Sequence, residues 1–323
     1  MAKNTSTKDA SAQHTAITEE HLTSVKKRQR KDGIAAIPWL TPTLLLIIGV
    51  VIYPTVLLVY YSFIKFNKYG VNKGFTGLDN YIGKGGALTY PAVDIPRVLL
   101  NTLIWVVVVV IATVLISLVL AQFLNKPFRG RKLVRLFVIL PWACSVVMTS
   151  TVFRYGLDHE YGLFNRLFVD TGILDATYAF AKNEVSAFAV AAFVAVYVSL
   201  PFTTYTILAG LQSVPADILE AANVDGANRL QTYWQIVFPM LRGAVATSAL
   251  INIINVFNSL PILKLIVDIP GYHKAHTTTT LIFQYKEQLG PGVSSALSVL
   301  NFLFCLVVIA VYLGTVKPTK EVA

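Results

Sequence analysis

The chain has 323 residues, of which 55% are hydrophobic and only 14% are charged, whereas soluble domains carry about 25% charged residues. Together with a mean hydropathy of +0.61, this composition excludes an ordinary soluble globular protein. The formal net charge of +10 has two possible sources, nucleic-acid binding and the topology of a membrane protein, and the positions of the basic residues decide between them.

Residues 1–37 form a polar segment that ends in a basic run at 26–31, of sequence KKRQRK. The apolar run that follows is too long for the core of a cleavable signal peptide. We therefore predict a mostly disordered, basic cytoplasmic tail. A nucleic-acid role for the basic run is possible, but an anchor beside an anionic lipid leaflet is the favoured interpretation.

Six apolar segments follow, each long enough to cross a bilayer, which takes about 20 residues. The centres of these segments carry no Asp, Glu, Lys, Arg or His. The sequence therefore predicts an all-α membrane protein with six transmembrane helices. We place them at about 38–63, 99–124, 134–154, 186–212, 243–265 and 295–316.

The basic residues also predict the orientation of the chain in the membrane. The short loop at 125–133 contains four Lys or Arg residues, and cytoplasmic loops carry an excess of these two residues. If this loop lies in the cytoplasm, so do three other segments: the loop at 213–242, the N-terminal tail and the C-terminal tail at 317–323. More than half of the 27 Lys and Arg residues then lie in the cytoplasm, so membrane topology explains the positive charge.

Prolines interrupt four of the predicted spans, at Pro54, Pro141, Pro201 and Pro261. In a bilayer, the backbone groups that a proline frees must be satisfied by neighbouring helices, by waters or along a cavity. Kinked helices around a pathway are one interpretation. The other is the ordinary frequency of Pro in spanning helices, which exceeds its frequency in soluble ones.

The loop at 213–242 predicts two short amphipathic helices with a break between them. Ser213 and Pro215 are helix-start signals, and the apolar residues that follow recur at helical spacing. Gly226 ends or bends the first helix, and Pro239 closes the second just before the fifth span. Such a loop either docks on a soluble partner or lies in the lipid headgroup region.

The same loop carries a spaced motif: Glu220-Ala221-Ala222, then Gly226, then Ile236 and Phe238-Pro239. It resembles the signature loop of permease subunits of binding-protein-dependent ABC importers, and departs from it only by Phe238 in place of Leu. The wider text at 214–227 is similar to the carbohydrate-uptake branch, the relatives of maltose and glycerol-phosphate permeases. Shorter sequence segments match that branch in the same order, so the resemblance covers about 38–316. Two features of the maltose-type subunit have no counterpart in this resemblance, namely its extra N-terminal spans and its large inserted domain.

The resemblance implies a type I ABC importer permease fold and a coupling role for the loop. In the family, this loop docks in a groove of a cytoplasmic ATPase, so Glu220 is expected to be the docking charge and Gly226 the helix break. The remaining expected coupling residues are Ala221, Ala222, Asp225, Ile236 and Pro239.

The resemblance also implies the other components of the transporter. The chain has no phosphate loop of the form G-x-x-x-x-G-K-[ST], so Mg-ATP is expected on a separate ATPase subunit, and this chain is expected to need no cofactor and to be no enzyme. The expected partners are ATPase subunits, a second similar permease and an extracytoplasmic sugar-binding protein. The expected location is the cell or inner membrane of a bacterium or archaeon.

Polar side chains in the spans are the candidates for the substrate pathway. Asn252, Asn255 and Ser259 lie within an arc of about 60° on a helix, with Asn258 adjacent, and four polar groups in one span must face something other than lipid. A sugar site uses such amides and hydroxyls together with aromatic rings, and Tyr197 in the fourth span is a candidate ring. The alternatives are hydrogen bonding between helices for the amides and core packing for the ring.

A transporter of another class is the main alternative function. An ion-coupled secondary transporter or a channel that works without an ATPase usually keeps an ionisable residue inside the membrane, and no span centre here has one. No metal site is expected. Cys144 and Cys305 are typical of core residues, and His159 has no second ligand at metal spacing.

Overall fold

The computed structural model describes residues 38, 40–67, 70–267 and 276–316. The predicted tails at 1–37 and 317–323 lie outside the described residues. The chain divides into two compact units, the first ending at Tyr60 and the second beginning at Tyr61. The elements in chain order are α1 (Leu40–Ser62), β1 (Ile64–Phe66), β2 (Asn72–Phe75), α2 (Asp79–Ile82), α3 (Ile95–Asn125), α4 (Arg131–Ala143), α5 (Val146–Gly156), α6 (Leu163–Asp170), α7 (Glu184–Gln212), α8 (Ala216–Val224), α9 (Arg229–Phe257), α10 (Leu260–Ile266), α11 (Thr278–Gln288) and α12 (Pro291–Val316).

The prediction of an all-α membrane protein is confirmed. Five described helices are long and apolar enough to cross a membrane, namely α1, α3, α7, α9 and α12, and the bent pair α4 and α5 brings the number to six if it forms one span. The apolar segments that the sequence marks therefore fold as helices, as they must where the bilayer offers no water to satisfy the backbone.

Most of helix α1, up to Tyr60, belongs to the first unit. It contains a π-helical stretch at Ile47–Ile52, and Pro54 follows this stretch within two residues. The hydroxyl of Thr55 donates to the carbonyl of Val51 at 2.7 Å. A wider turn before a proline is one of the recognised ways in which a helix accommodates the missing backbone donor.

The third predicted span, 134–154, is not one helix. Helix α4 ends at Ala143, helix α5 begins at Val146, and the two axes are bent by 98°. Cys144 and Ser145 between them are both extended, with ψ of 144° and 140°. Pro141 lies in the last turn of α4, where its missing N–H leaves the carbonyl four residues earlier without a helical donor and weakens the end of the helix.

The fifth predicted span, 243–265, also differs from the structure. Helix α9 already begins at Arg229 and ends at Phe257, and the short helix α10 follows after a break at Asn258 and Ser259. The prediction that Pro239 closes a separate loop helix is therefore wrong. Pro239 lies inside α9, directly after a π-helical turn at Thr232–Val237, and such a wider turn is one of the ways in which a helix accommodates the missing N–H of a proline.

The core of the second unit lies where α3, α7 and α9 pack against one another. Trp105 of α3 is buried there, and its indole N–H donates to the carbonyl of Val256 on α9 at 3.0 Å. Val109 and Val194 are fully buried in the same cluster. These contacts fix α9 against two other long helices.

A small hairpin, which the sequence analysis did not predict, follows α1. Strands β1 and β2 are antiparallel, with Ile64 opposite Phe75 and Phe66 opposite Asn72. The side-chain amide of Asn80 donates to the carbonyls of Ser62 and Ile64 at 2.9 and 2.8 Å. This buried amide ties the hairpin to helix α2.

Helix α12 approaches this hairpin so closely that Gly292 has no room for a side chain. A Cβ there would lie 2.5 Å from the carbonyl oxygen of Ile64 and 3.0 Å from the amide nitrogen of Asn80. We expect Gly292→Ala to lower the free energy of unfolding by about 2 kcal/mol, because backbone must move to relieve the overlap. Thermal unfolding of the purified protein in detergent measures this.

Gly314→Ala is the matched control for that substitution. Gly314 lies in the same helix, and a Cβ there meets nothing within 4 Å. We expect its melting temperature to be unchanged or slightly raised, since Ala favours a helix over Gly. Equal melting temperatures for the two variants would contradict the close packing at Gly292.

Candidate functional site

A cleft of about 650 Å³ lies in the second unit, where two spanning segments are broken. The break between α4 and α5 contributes Cys144 and Ser145, and the break between α9 and α10 contributes Asn258 and Ser259. Helix α7 forms the remaining wall. The lining residues are Pro141, Trp142, Cys144, Ser145, Val146, Ala195, Val198, Ser199, Phe202, Ile251, Asn252, Asn255, Val256, Asn258, Ser259, Pro261 and Ile262.

The predicted polar residues of the fifth span meet at this cleft. Asn252, Asn255, Asn258 and Ser259 all line it. Asn255 and Asn258 are exposed, and Asn255 makes no hydrogen bond within the described part of the chain. An exposed amide in an apolar spanning segment requires water or protein beside it rather than lipid.

Asn252 differs from these neighbours because it is only 2% exposed. Its amide nitrogen donates to the hydroxyl of Thr203 on α7 at 2.7 Å and to the carbonyl of Ser248 at 2.9 Å. Asn252 therefore joins two helices, as the hydrogen-bonding alternative predicts, and also forms part of the cleft wall. The two interpretations of this residue are compatible in the structure.

Tyr197 lies outside the cleft. Its ring stacks on Phe193 at 6.4 Å and meets Phe153 edge-on at 5.8 Å, so it belongs to an aromatic cluster between α5 and α7. The physical reason is helical phase. The cleft-lining residues of α7 recur at the i, i+3, i+4, i+7 spacing of one helix face, at Ala195, Val198, Ser199 and Phe202, and Tyr197 falls off that stripe.

The aromatic surface of the cleft comes from Trp142 and Phe202 instead. Their ring centroids are 6.2 Å apart, and Trp142 is 64% exposed. Trp142 is recognisable in the sequence as a candidate aromatic residue beside Pro141. Phe202 was not predicted as one, although it stands three residues after Ser199 on the same helix face. Cys144 is also exposed at the break, so the expectation of a core cysteine is wrong there.

The chemistry of the cleft is uncharged. Its lining consists of amides, hydroxyls, one thiol, two aromatic rings and aliphatic groups, with no Asp, Glu, Lys, Arg or His among the described residues that form it. Amides and hydroxyls bind hydroxyl groups, and aromatic faces bind apolar C–H surfaces. Such a cleft suits a neutral polar molecule that also has apolar faces.

The loop at 213–242 has its predicted first helix, and that helix ends in a defined cap. Helix α8 ends at Val224, and Gly226 has a φ of +75°. The N–H of Ala227 donates to the carbonyl of Ala222 at 3.0 Å, and the N–H of Gly226 to that of Asn223 at 3.2 Å. This is a Schellman motif, in which the left-handed residue is usually Gly.

The surface of this loop offers charge and apolar groups together. Glu220, Ala221 and Asp225 are exposed, whereas Ala222 is buried and Ile236 and Pro239 are half-buried. Large apolar side chains are exposed beside the acidic ones, at Ile218, Val224, Leu230 and Trp234. Exposed apolar groups of this size next to acids are typical of a surface that contacts another protein or a membrane interface.

Residues 113–315 match the family of binding-protein-dependent transport system inner membrane components. That match covers more than half of the chain. The chain belongs to this family. A self-sufficient ion-coupled carrier or channel is therefore not favoured, because the family is defined by transport that depends on a binding protein.

Related proteins that align with most of the chain agree with this assignment. A probable ABC transporter permease protein of Brucella suis biovar 1 is 30% identical over 273 residues, which cover 84% of this chain and 93% of the relative. The trehalose/maltose transport system permease protein MalF of Thermococcus litoralis is 28% identical over 91% of this chain and 97% of its own length. The match with this MalF includes nearly all of both chains.

A solved structure shows the fold of the permease. A chain of the bacterial ABC transporter involved in the import of the acidic polysaccharide alginate superimposes with a TM-score of 0.76, over 92% of this chain and 100% of that chain, at 18% sequence identity. The expectation of a type I ABC importer permease fold is confirmed.

The segment of the permease between α5 and α6 contains a stabilised carboxylate but no metal site. The carboxylate of Asp158 accepts from the backbone N–H of Glu160 at 2.9 Å and of Tyr161 at 3.3 Å. The bond from Glu160 is the main cause that lowers the pKa of Asp158 below its usual 3.8. Among the described residues, no three His, Cys, Asp or Glu side chains are placed to hold a metal ion.

Proposed function

We propose that this permease forms half of the membrane pathway of an ATP-driven importer for a neutral sugar or oligosaccharide. The uncharged cleft at the two helix breaks carries the proposal. Asn255 and Asn258 are exposed there and can bind sugar hydroxyls. Trp142 and Phe202 supply the apolar surface on which the C–H face of a sugar ring packs.

The names of related proteins support the sugar substrate. The relative in Thermococcus litoralis is a trehalose/maltose permease. A sulfoquinovosyl glycerol permease, SmoG of Agrobacterium fabrum, is 28% identical over 90% of this chain and 92% of its own length. The absence of charge around the described cleft favours an uncharged sugar for this chain over an acidic one.

The proposal assigns ATP hydrolysis to a separate subunit that binds Mg-ATP and docks on the loop at 213–242. Glu220 and Asp225 supply exposed charge, and Ala221 and Ala222 lie on the same short helix. Gly226 ends that helix. Ile236 and Pro239 belong to the first turns of α9, which begins in the loop.

Helix α9 gives this docking a mechanical consequence. A single helix, Arg229–Phe257, contains both the second half of the loop and the residues Asn252 and Asn255. A displacement of the loop is therefore carried to the cleft wall along one continuous helix, which includes the π-helical turn at Thr232–Val237. The proposed cycle uses this link, since closure of the ATPase pair pulls the loops and opens the pathway to the other side.

The family to which the chain belongs implies the remaining partners. The exposed amides of the cleft need a covering surface inside the membrane. A second, similar permease supplies that surface, and an extracytoplasmic binding protein delivers the sugar. Both termini lie in the cytoplasm in this arrangement, which the basic loop at 125–133 favours. A related alginate transporter has been solved with its sugar-bound periplasmic protein.

Uptake by reconstituted protein tests the proposal. The permease, its ATPase and its binding protein are placed in proteoliposomes, and ATP-dependent uptake of trehalose, maltose, sucrose and raffinose is measured beside that of glucuronate. We expect saturable uptake of a neutral sugar and none of glucuronate. Uptake without ATP, or uptake of glucuronate alone, would contradict the proposed function.

A substitution in the cleft tests the role of Asn255. We expect Asn255→Leu to lower the maximal rate of sugar uptake about fivefold, because a free amide that binds a sugar hydroxyl contributes about 1 kcal/mol. Thr247→Leu is the control, since it also replaces an exposed polar residue of the same helix, at a position outside the cleft. Unchanged uptake by Asn255→Leu would place this amide outside the pathway.

A further inference from the structure

A relay of hydrogen bonds between α7 and α9 lies directly behind the cleft wall. Asn252 of α9 donates to Thr203 of α7 at 2.7 Å and to the carbonyl of Ser248 at 2.9 Å. The hydroxyl of Thr203 donates to the carbonyl of Ser199 at 3.0 Å. Thr203 is fully buried and does not line the cleft, whereas Asn252 does.

The direction of every bond in this relay is determined by chemistry. The carbonyls of Ser199 and Ser248 can only accept, so each must face a donor. The single hydroxyl hydrogen of Thr203 is used on Ser199, and its oxygen must therefore accept from Asn252. Both amide hydrogens of Asn252 are then engaged. Turning the amide around would place Oδ1 against the carbonyl of Ser248, which cannot donate, and would require the Thr203 hydroxyl to give up its bond to Ser199.

The remaining polar atom of Asn252 is its carbonyl oxygen Oδ1. This oxygen makes no hydrogen bond within the described part of the chain, and it is not among the polar atoms that are sealed from solvent without a partner. Because Asn252 lines the cleft, Oδ1 is the group that it offers there. A carbonyl oxygen accepts hydrogen bonds and donates none.

We propose that Thr203 is a positioning residue, which holds Asn252 so that the cleft wall presents a fixed hydrogen-bond acceptor to a sugar hydroxyl. This inference rests on the proposed function and adds a specificity to it. At this point of the wall, the substrate must donate a proton in a hydrogen bond. Asn255 nearby has a free amide, which can turn to donate or accept, so only Asn252 imposes this requirement.

The next residue along α7 provides a matched control. Thr204 is also fully buried, and its hydroxyl donates to that of Ser117 on α3 at 3.1 Å. Thr204→Val and Thr203→Val remove the same group from adjacent positions, and each breaks one buried bond between helices. Only Thr203→Val releases the amide of Asn252.

The first measurement is the number of sugar molecules imported per ATP hydrolysed in the proteoliposomes. The sugar is the one among trehalose, maltose, sucrose and raffinose that the wild-type complex takes up fastest. Because the binding protein sets the apparent affinity for the sugar, a contact in the permease is expected to change this ratio instead. We expect Thr203→Val to lower this ratio about fivefold. Thr204→Val and the conservative Thr203→Ser stay within about twofold of the wild type.

The second measurement uses deoxyfluoro analogues of the same sugar, each with one hydroxyl replaced by fluorine, which cannot donate. We expect the wild type to import at least one analogue about tenfold more slowly than the parent sugar, at equal occupancy of the binding protein. Asn252→Leu and Thr203→Val lose that discrimination, whereas Thr204→Val keeps it.

The outcomes separate this inference from the proposed function. Equal coupling and equal discrimination in Thr203→Val and Thr204→Val would overturn the positioning role. A wild type that imports every deoxyfluoro analogue as fast as the parent sugar would overturn the fixed acceptor, even if both Thr variants fail to fold. If the wild type imports none of the four sugars, the proposed function itself fails, and the inference falls with it.

Discussion

We expect the Glu220→Arg variant to lose ATP-dependent uptake by about a hundredfold while the permease still folds. Glu220 is exposed on the short helix α8, so the substitution disturbs no internal contact. A docked carboxylate pairs with a cation or with helix-end donors of its partner. Reversing its charge places like charges against each other, which costs several kcal/mol at an interface, and each 1.4 kcal/mol is a factor of ten.

Co-purification of the ATPase subunit with tagged permease from detergent-solubilised membranes measures this loss directly. Glu287→Arg is the control, because it makes the same charge reversal at an exposed position in α11, outside the loop. We expect the ATPase to be retained by Glu287→Arg and lost from Glu220→Arg. If both variants retain it equally, the docking role of Glu220 is wrong.

The second large effect concerns the aromatic surface of the cleft. We expect Trp142→Ala to lower the rate of sugar uptake about tenfold, which corresponds to about 1.4 kcal/mol. The C–H face of a sugar buries apolar surface against the indole, and such burial contributes about 25 cal/mol per Å². The loss of protein stability is expected to be small, since the indole is 64% exposed. Uptake in proteoliposomes, with ATP hydrolysis followed in parallel, is the measurement.

The conservative variant Trp142→Phe separates stacking from size. A phenyl ring at this position keeps an aromatic face near Phe202, whose ring centroid lies 6.2 Å from that of Trp142. We expect Trp142→Phe to retain most of the uptake and Trp142→Leu to behave like Trp142→Ala. Full uptake by Trp142→Leu would show that the ring has no contact with the sugar.

Much of the candidate site follows from local patterns in the sequence. The four polar residues that end the fifth span are predicted to share one side, and all four line the cleft. The helix break at Gly226 also follows from the sequence, because a left-handed cap favours Gly wherever it occurs. Both features depend on residues close together in the chain. Asn252 and Asn255 lie on α9, whereas Asn258 and Ser259 line the cleft from the break after Phe257.

Other parts of the site could not be predicted in this way. Tyr197 is a reasonable candidate by residue type, but the phase of α7 turns it to Phe153 and Phe193. Pro239 has the sequence character of a helix end, yet it lies inside α9, directly after the π-helical turn at Thr232–Val237 that accommodates it. In each case the deciding factor is the packing or continuity of a long helix, which composition does not report.

By itself, the sequence determined that this is a helical membrane permease, because span length and motif spacing are local properties of the chain. Only the tertiary structure decided which polar groups face the cleft and how the amide of Asn252 is oriented there. The bond that orients Asn252 joins it to Thr203, 49 residues earlier, and the two breaks that form the cleft lie more than a hundred residues apart. Contacts between such distant residues exist only after the helices have packed.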